Sequence, residues 1–168
     1  MDVHVIHNVL IALHAASATL SFIAGCWLIF FPRQLSNGQL LALYWWTLVA
    51  SIVLLAAAIL SYLTEYSSIE RIVFPALFVL GIYMLYRAQS ARRRLQTQPT
   101  GWKHDAIEHI GFTLISLFEG FIIVSGLNSG LPGWLVALIA ILGVLLGRWL
   151  IGTAQRRVGS EQMMAPEQ

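Results

Sequence analysis

The sequence is poor in charge. Of its 168 residues only 11% are Lys, Arg, Asp or Glu, less than half of the roughly 25% in an average soluble domain. So few ions cannot surface a globule of this size for water. That excludes a soluble enzyme, a nucleic-acid-binding module and a disordered regulator. Cysteine occurs once, as Cys26, which excludes an intrachain disulfide and a two-thiol relay. Ile23-Ala24-Gly25-Cys26 looks like a lipoprotein box, but the opening MDVHVIHN has no Lys or Arg, as a secretory signal requires. The WLIFF after Cys26 also prolongs the apolar run, so Cys26 reads as a small hydrophobe. There is no internal repeat and no low-complexity tract.

Apolar sequence is abundant: 58% of the residues are hydrophobic and the mean hydropathy is +0.74. A membrane-spanning helix needs about 20 mainly apolar residues. Five such stretches fit, near 4–31, 39–63, 69–88, 107–127 and 133–152. Turn and breaker residues separate them: Pro32 with Asn37–Gly38, Ser67–Ser68, Pro99–Gly101, and Asn128 to Gly133. The expected fold is an all-α bundle of five spans. It forms one transmembrane domain over 1–154, followed by a polar, frayed cytoplasmic tail over 155–168.

Basic residues predict the orientation, because cytoplasmic loops retain positive charge. With the N-terminus outside and the C-terminus inside, Arg33, Arg87, Arg92, Arg93, Arg94, Lys103, Arg148, Arg156 and Arg157 fall inside and only Arg71 outside. Trp27, Trp45, Trp102 and Trp149 then lie near inner ends, and Trp134 opens the last span on the outer side. The cluster Arg92–Arg94 reads first as a topology determinant and second as a site for anionic lipid.

Ionisable side chains inside a bilayer are costly and tend to face a cavity or one another. On the first helix His7, His14 and Ser21 are spaced by seven, and Ser17 joins their face. On the fourth, His109, Thr113, Ser116 and Glu119 form a second stripe, with Gly120 offering close approach to a neighbour. Thr47, Ser51 and Tyr62 mark a weaker polar side of the second helix. The two stripes predict an interior lane for protons or ions, in which His14 and Glu119 pair near the middle of the bilayer. His109 with Glu108 would form its inner mouth, and His7 with His4 its outer one. A histidine and a carboxylate together in a dry site exchange a proton near neutral pH.

Other chemistries compete. A haem b, the one cofactor in question, would take His14 and His109 as ligands. Those residues are displaced by about 20 Å along the membrane normal at 1.5 Å per residue, so they cannot share one iron in this topology. His104, Asp105, Glu108 and His109 contain two i, i+4 pairs, which are rotated by about 100° from each other. His104, Glu108 and His109 are thus weak metal ligands, and a charged first helical turn is the simpler reading. Gly143 and Gly147 form GxxxG, a helix-packing device. With Arg92–Arg94 they would serve a scaffold or assembly subunit. No nucleophile–base pair supports an enzyme. The expected partners are the lipid bilayer and a second copy or another membrane subunit.

The run LHAASATLSFIAGCWLIFFPR with the following YWW, and the later IEHIGFTLISLFEGFIIVSGLNSGLPGWLVALIAILGVLLGRWLI, resemble small bacterial inner-membrane proteins of unknown function. The resemblance spans most of residues 13–151. It implies four to five helices in a cytochrome-like layout, residence in the bacterial inner membrane, and His14 and His109 as the characteristic positions. Those proteins usually carry a further histidine where the second helix begins. Here Tyr44-Trp45-Trp46 stands in its place, which weakens the haem-ligand reading.

Overall fold

The computed structural model describes residues 3–62, 66 and 70–164. Among them there are five α-helices and no strand. The helices are α1 (Val3–Phe30), α2 (Gly38–Ser61), α3 (Glu70–Thr97), α4 (Trp102–Asn128) and α5 (Gly133–Met164), and a 3-10 turn over Pro32–Ser36 joins the first two. Each α-helix holds a stretch long and apolar enough to cross a membrane: His4–Phe30, Gly38–Ser61, Arg71–Thr97, Trp102–Gly126 and Gly133–Arg156. Leu20, Val53, Val79, Phe121 and Leu145, one from each helix, are all more than half exposed. Such an apolar exterior suits acyl chains rather than water. These are the helices of a multi-pass membrane protein.

Local chemistry sets the helix ends. Pro32 opens the 3-10 turn at a position where its missing N–H costs nothing. Asn37 caps α2, its side-chain oxygen accepting from the N–H groups of Gln39 at 3.1 Å and Leu40 at 3.3 Å. Gly130, at φ +71°, ends α4, and the Leu131 N–H returns to the Gly126 carbonyl at 3.1 Å. That closure requires a left-handed residue, which favours glycine.

Three boundaries differ from the expected spans. α3 runs to Thr97 rather than 88, so Arg92–Arg94 sit on helical turns and not in a loop. α4 begins at Trp102 rather than 107, placing His104 to His109 in its first two turns. α5 continues to Met164, so most of the expected frayed tail is helical. Polar turns that the apolar count leaves out extend α3 and α5 at their C-terminal ends and α4 at its N-terminal end, with Arg, Gln, Ala and Lys among their residues favouring helix. Ser67–Ser68, the expected span limits at 63 and 69, and residues 165–168 lie outside the described residues.

The first four helices pack in sequence as an antiparallel ring, α1 on α2, α2 on α3, α3 on α4, and α4 back on α1. α5 lies outside this ring, mainly on α4, and barely touches α1. The α1–α2 and α3–α4 connections mark the lower end of the bundle, and the other connections mark its upper end. Leu28, Tyr44, Leu48, Ala91, Ile107 and Ile110 fill the core. Tyr44 is fully buried, and its ring lies 3.2 Å from where a Cβ on Gly25 would stand.

Candidate functional site

The polar stripe of α1 faces α2. His7 Nδ1 lies 3.1 Å from the Ala58 carbonyl, His14 Nδ1 lies 2.8 Å from the Ser51 carbonyl, and Ser21 Oγ donates to the Tyr44 carbonyl at 3.2 Å. Positions 7, 14 and 21 thus meet 58, 51 and 44, one polar contact every two turns in a single antiparallel register. A carbonyl only accepts, so Nδ1 carries the proton on both histidines. Ser51 Oγ adds a second contact to His14 Nδ1 at 3.1 Å. At the upper end His7 stacks on Tyr62 with ring centroids 4.5 Å apart, and His4 Nδ1 lies 3.2 Å from the Tyr62 hydroxyl. Ser17, expected in the lane, donates instead to the Leu13 carbonyl of its own helix at 2.8 Å.

The stripe of α4 is buried. Thr113 is fully enclosed, and Ser116 and Glu119 are each 7% exposed. Thr113 Oγ1 donates to the His109 carbonyl at 3.2 Å. Beside the lower end of the column, Arg87 of α3 contacts Glu108 at 3.4 Å and lies over the Phe112 ring, 5.0 Å from its centroid. Arg94 reaches Asp105 at 3.5 Å. The Tyr44 hydroxyl faces Thr113 without a hydrogen bond. Among the described residues, the buried side-chain atoms with no hydrogen-bond partner are Tyr44 Oη, Arg87 Nε, His109 Nδ1 and both Glu119 oxygens. All belong to this column or its immediate neighbours.

Glu119 faces α5. Its Oε1 stands where a Cβ on Gly143 would have to be, and Phe118 Cε1 is 3.2 Å from that point. The same seam repeats the motif. Gly111 receives Ile151, and a Cβ added to Gly147 would stand 2.5 Å from Ile115 and one added to Gly126 2.7 Å from Val136. Positions 111 and 151, 115 and 147, 119 and 143, and 126 and 136 share one antiparallel register. Gly143 and Gly147 therefore seat α4 side chains within the chain. Gly120, expected to allow close approach, has open space where its Cβ would be.

Of the His14–Glu119 pair expected from the sequence, bridged directly or through water, the structure shows no direct hydrogen bond. His14 bonds to Ser51, and neither Glu119 oxygen has a partner. Gly25 of α1 is level with Leu114 of α4, since a Cβ there would stand 2.7 Å from the leucine. That register puts His14 level with position 125, about 9 Å above Glu119 at 1.5 Å per residue. It puts His109 level with position 30, about 24 Å from His14 by the same rise. Within one chain these two histidines do not fit one haem iron. The expected single lane is in fact two seams, one between α1 and α2 and one along α4.

The weak metal set does not converge either. Glu108 is engaged by Arg87, and His104 Nδ1 lies 3.8 Å from its neighbour Asp105. Among the described residues no three His, Cys, Asp or Glu side chains gather as ligands. Tyr44 and Arg87 are the residues that sequence reasoning missed. Tyr44 lies seven before Ser51 and fourteen before Ala58, a heptad complement to the α1 stripe that could have been read.

No family model, curated protein or solved structure matches this chain.

Proposed function

We propose that the protein handles protons within a bacterial inner membrane, with Glu119 as the group that takes up and releases the proton. One observation carries this reading: every unpartnered buried polar side-chain atom among the described residues lies on or beside the α4 column. Unsatisfied polar groups are costly in hydrocarbon and mark proton or ion paths. His109, Thr113 and Ser116 form the approach to Glu119 from the lower end, with Arg87 and Glu108 at its mouth. The basic-residue bias makes that end cytoplasmic and puts the N-terminus outside. Five thin helices enclose little space, which supports assembly with a second copy or another membrane subunit.

The test is proton flux in proteoliposomes, followed with an entrapped pH-sensitive dye. Glu119→Gln keeps the shape and removes the ionisable group, and it is expected to abolish flux above the empty-liposome leak. Flux unchanged in that variant defeats the proposal. A change only in stability or in co-purifying proteins would point to a scaffold subunit instead.

A further inference from the structure

The lower end of the bundle carries more positive than negative charge. Arg33, Arg87, Arg92, Arg93, Arg94, Lys103, Arg148 and Arg156 lie there. Of the acids at that end, Asp105 and Glu108 of α4 are already engaged by Arg94 and Arg87. The arginine run of α3 is divided by the helix, since successive residues turn by about 100°. Arg94 turns to α4 and meets Asp105 at 3.5 Å. Arg92 turns to α2, where its guanidinium lies 6.0 Å from the centre of the half-buried Trp45 ring. Ala91 and Leu95 are buried on the inner face, so Arg93 looks outward and is exposed. Among the described residues, Arg92 and Arg93 have no acid within ion-pair distance.

We propose that Arg92 and Arg93, with Trp45 beside them, bind the headgroup phosphate of an anionic phospholipid whose acyl chains run up the outer face of α3. Charge complementarity selects the headgroup. Two unpaired guanidiniums at the end of a membrane span match a phosphate, which arginine contacts through parallel N–H donors. The stripe above them selects the rest of the molecule. Tyr86, Ile82 and Val79 stand seven, eleven and fourteen residues before Arg93, on the same face of the helix, and all three are exposed. From Arg93 to Val79 the stripe runs about 21 Å at 1.5 Å per residue. That covers the half of a hydrocarbon core of about 30 Å that one leaflet fills. A soluble anion would use the arginines and leave the stripe bare, and so would an acidic protein docked from below. Only a molecule with an anionic head and an apolar body uses both. Below, α2 and α3 are joined by packing alone, because their chain connection is at the upper end, so the headgroup meets no loop between them.

This goes beyond the proton-handling reading and does not depend on it, because Glu119 lies on α4 and faces α5.

The experiment is energy transfer from the tryptophans of the full chain to phosphatidylglycerol with a dansyl-labelled acyl chain, in dodecylmaltoside micelles, with unlabelled competitors. Unlabelled phosphatidylglycerol is expected to displace the probe, and phosphatidylcholine and inorganic phosphate to leave it bound. Each basic residue beside an anionic headgroup contributes about fivefold to binding, so Arg92→Gln and Arg93→Gln are each expected to weaken it by that factor. Arg148→Gln removes an exposed arginine of α5 and is expected to leave binding unchanged. Equal competition by phosphatidylcholine overturns the proposal, and displacement by inorganic phosphate makes the site one for soluble anions and overturns it too. Wild-type affinity in the Arg92→Gln, Arg93→Gln double variant has the same effect. So does an equal loss in Arg148→Gln, which would assign the binding to the charge of the whole end. If the double variant changes its elution profile, the headgroup competition in wild type decides alone.

Discussion

The carboxyl of Glu119 lies against the bare Cα of Gly143, in a seat that hydrocarbon takes elsewhere along the same seam. Ile151, Ile115 and Val136 fill the corresponding places at Gly111, Gly147 and Gly126. Three of the four seats hold a β-branched apolar side chain, and the fourth holds an acid with no hydrogen-bond partner. Packing alone would favour isoleucine there. The acid costs stability, and that cost points to use rather than architecture.

Glu119→Ile is therefore expected to stabilise the protein while removing its proton chemistry. An unsatisfied buried polar group costs about 1–3 kcal/mol, which sets the expected gain. Denaturation by sodium dodecyl sulfate in mixed micelles, followed by circular dichroism, measures it. A midpoint below wild type would mean that the carboxyl has a stabilising partner.

Gly143→Ala places a methyl group on the carboxyl oxygen, so α4 and α5 must separate or Glu119 must leave its seat. Overpacking of this kind costs about 1–3 kcal/mol. Glu119→Ala frees the space that the new methyl needs, so the double variant is expected to be less destabilised than the sum of the singles. Coupling of about 0.5–3 kcal/mol is the normal range for residues in contact, and a double-mutant cycle in the same micelles reads it. Strict additivity would place the carboxyl away from Gly143.

His14 is expected to act on stability. Its Nδ1–H bonds to the Ser51 carbonyl, and interhelical hydrogen bonds in membranes contribute about 0.6 kcal/mol on average and up to about 1.7. His14→Leu should lower the unfolding midpoint by that amount and leave proton flux per folded molecule within twofold of wild type. His14 and Ser21 are seven residues apart, about 10 Å along the helix, and at that separation their losses should add. A His14→Leu protein that folds normally and conducts nothing would return His14 to the proton path.

The five helices were legible because apolar length alone separates membrane spans from soluble segments. Both polar stripes were legible too, since helical spacing assigns residues to a face without knowledge of the neighbour. Which neighbour a face meets was not legible. His14 sits as well opposite Ser51 as opposite Glu119 by spacing, and only the packing of α1 on α2 decides between them. The α4–α5 seam was half visible in Gly143 and Gly147. Its other half, Gly111 and Gly126, is hidden because their spacing of fifteen follows no familiar motif. Helix ends lie beyond the expected spans where polar turns prolong α3 and α5, since hydropathy reports the bilayer and not the end of the helix.

Arg87 and Glu108 join α3 to α4 at the lower end of the polar column, with side-chain exposures of 17% and 46%. The arginine is the more buried partner, and its guanidinium also covers the Phe112 ring. Removing the acid leaves a mostly enclosed cation unpaired, whereas removing the arginine leaves an acid that reaches solvent. Glu108→Gln should therefore destabilise more than Arg87→Met changes the pair's electrostatics, although the methionine also loses the contact with Phe112. Exposed pairs contribute about 0–1 kcal/mol and broken buried pairs cost about 3–5, so this half-exposed pair belongs near 1–2 kcal/mol. The exchanged variant Arg87→Glu with Glu108→Arg restores the attraction but moves the cation away from Phe112, so it should recover only part of the loss. Unfolding midpoints of the two single variants and the exchange, at low and high salt, decide the matter. Loss that persists unchanged at high salt would assign the effect to packing on Phe112 rather than to the ion pair.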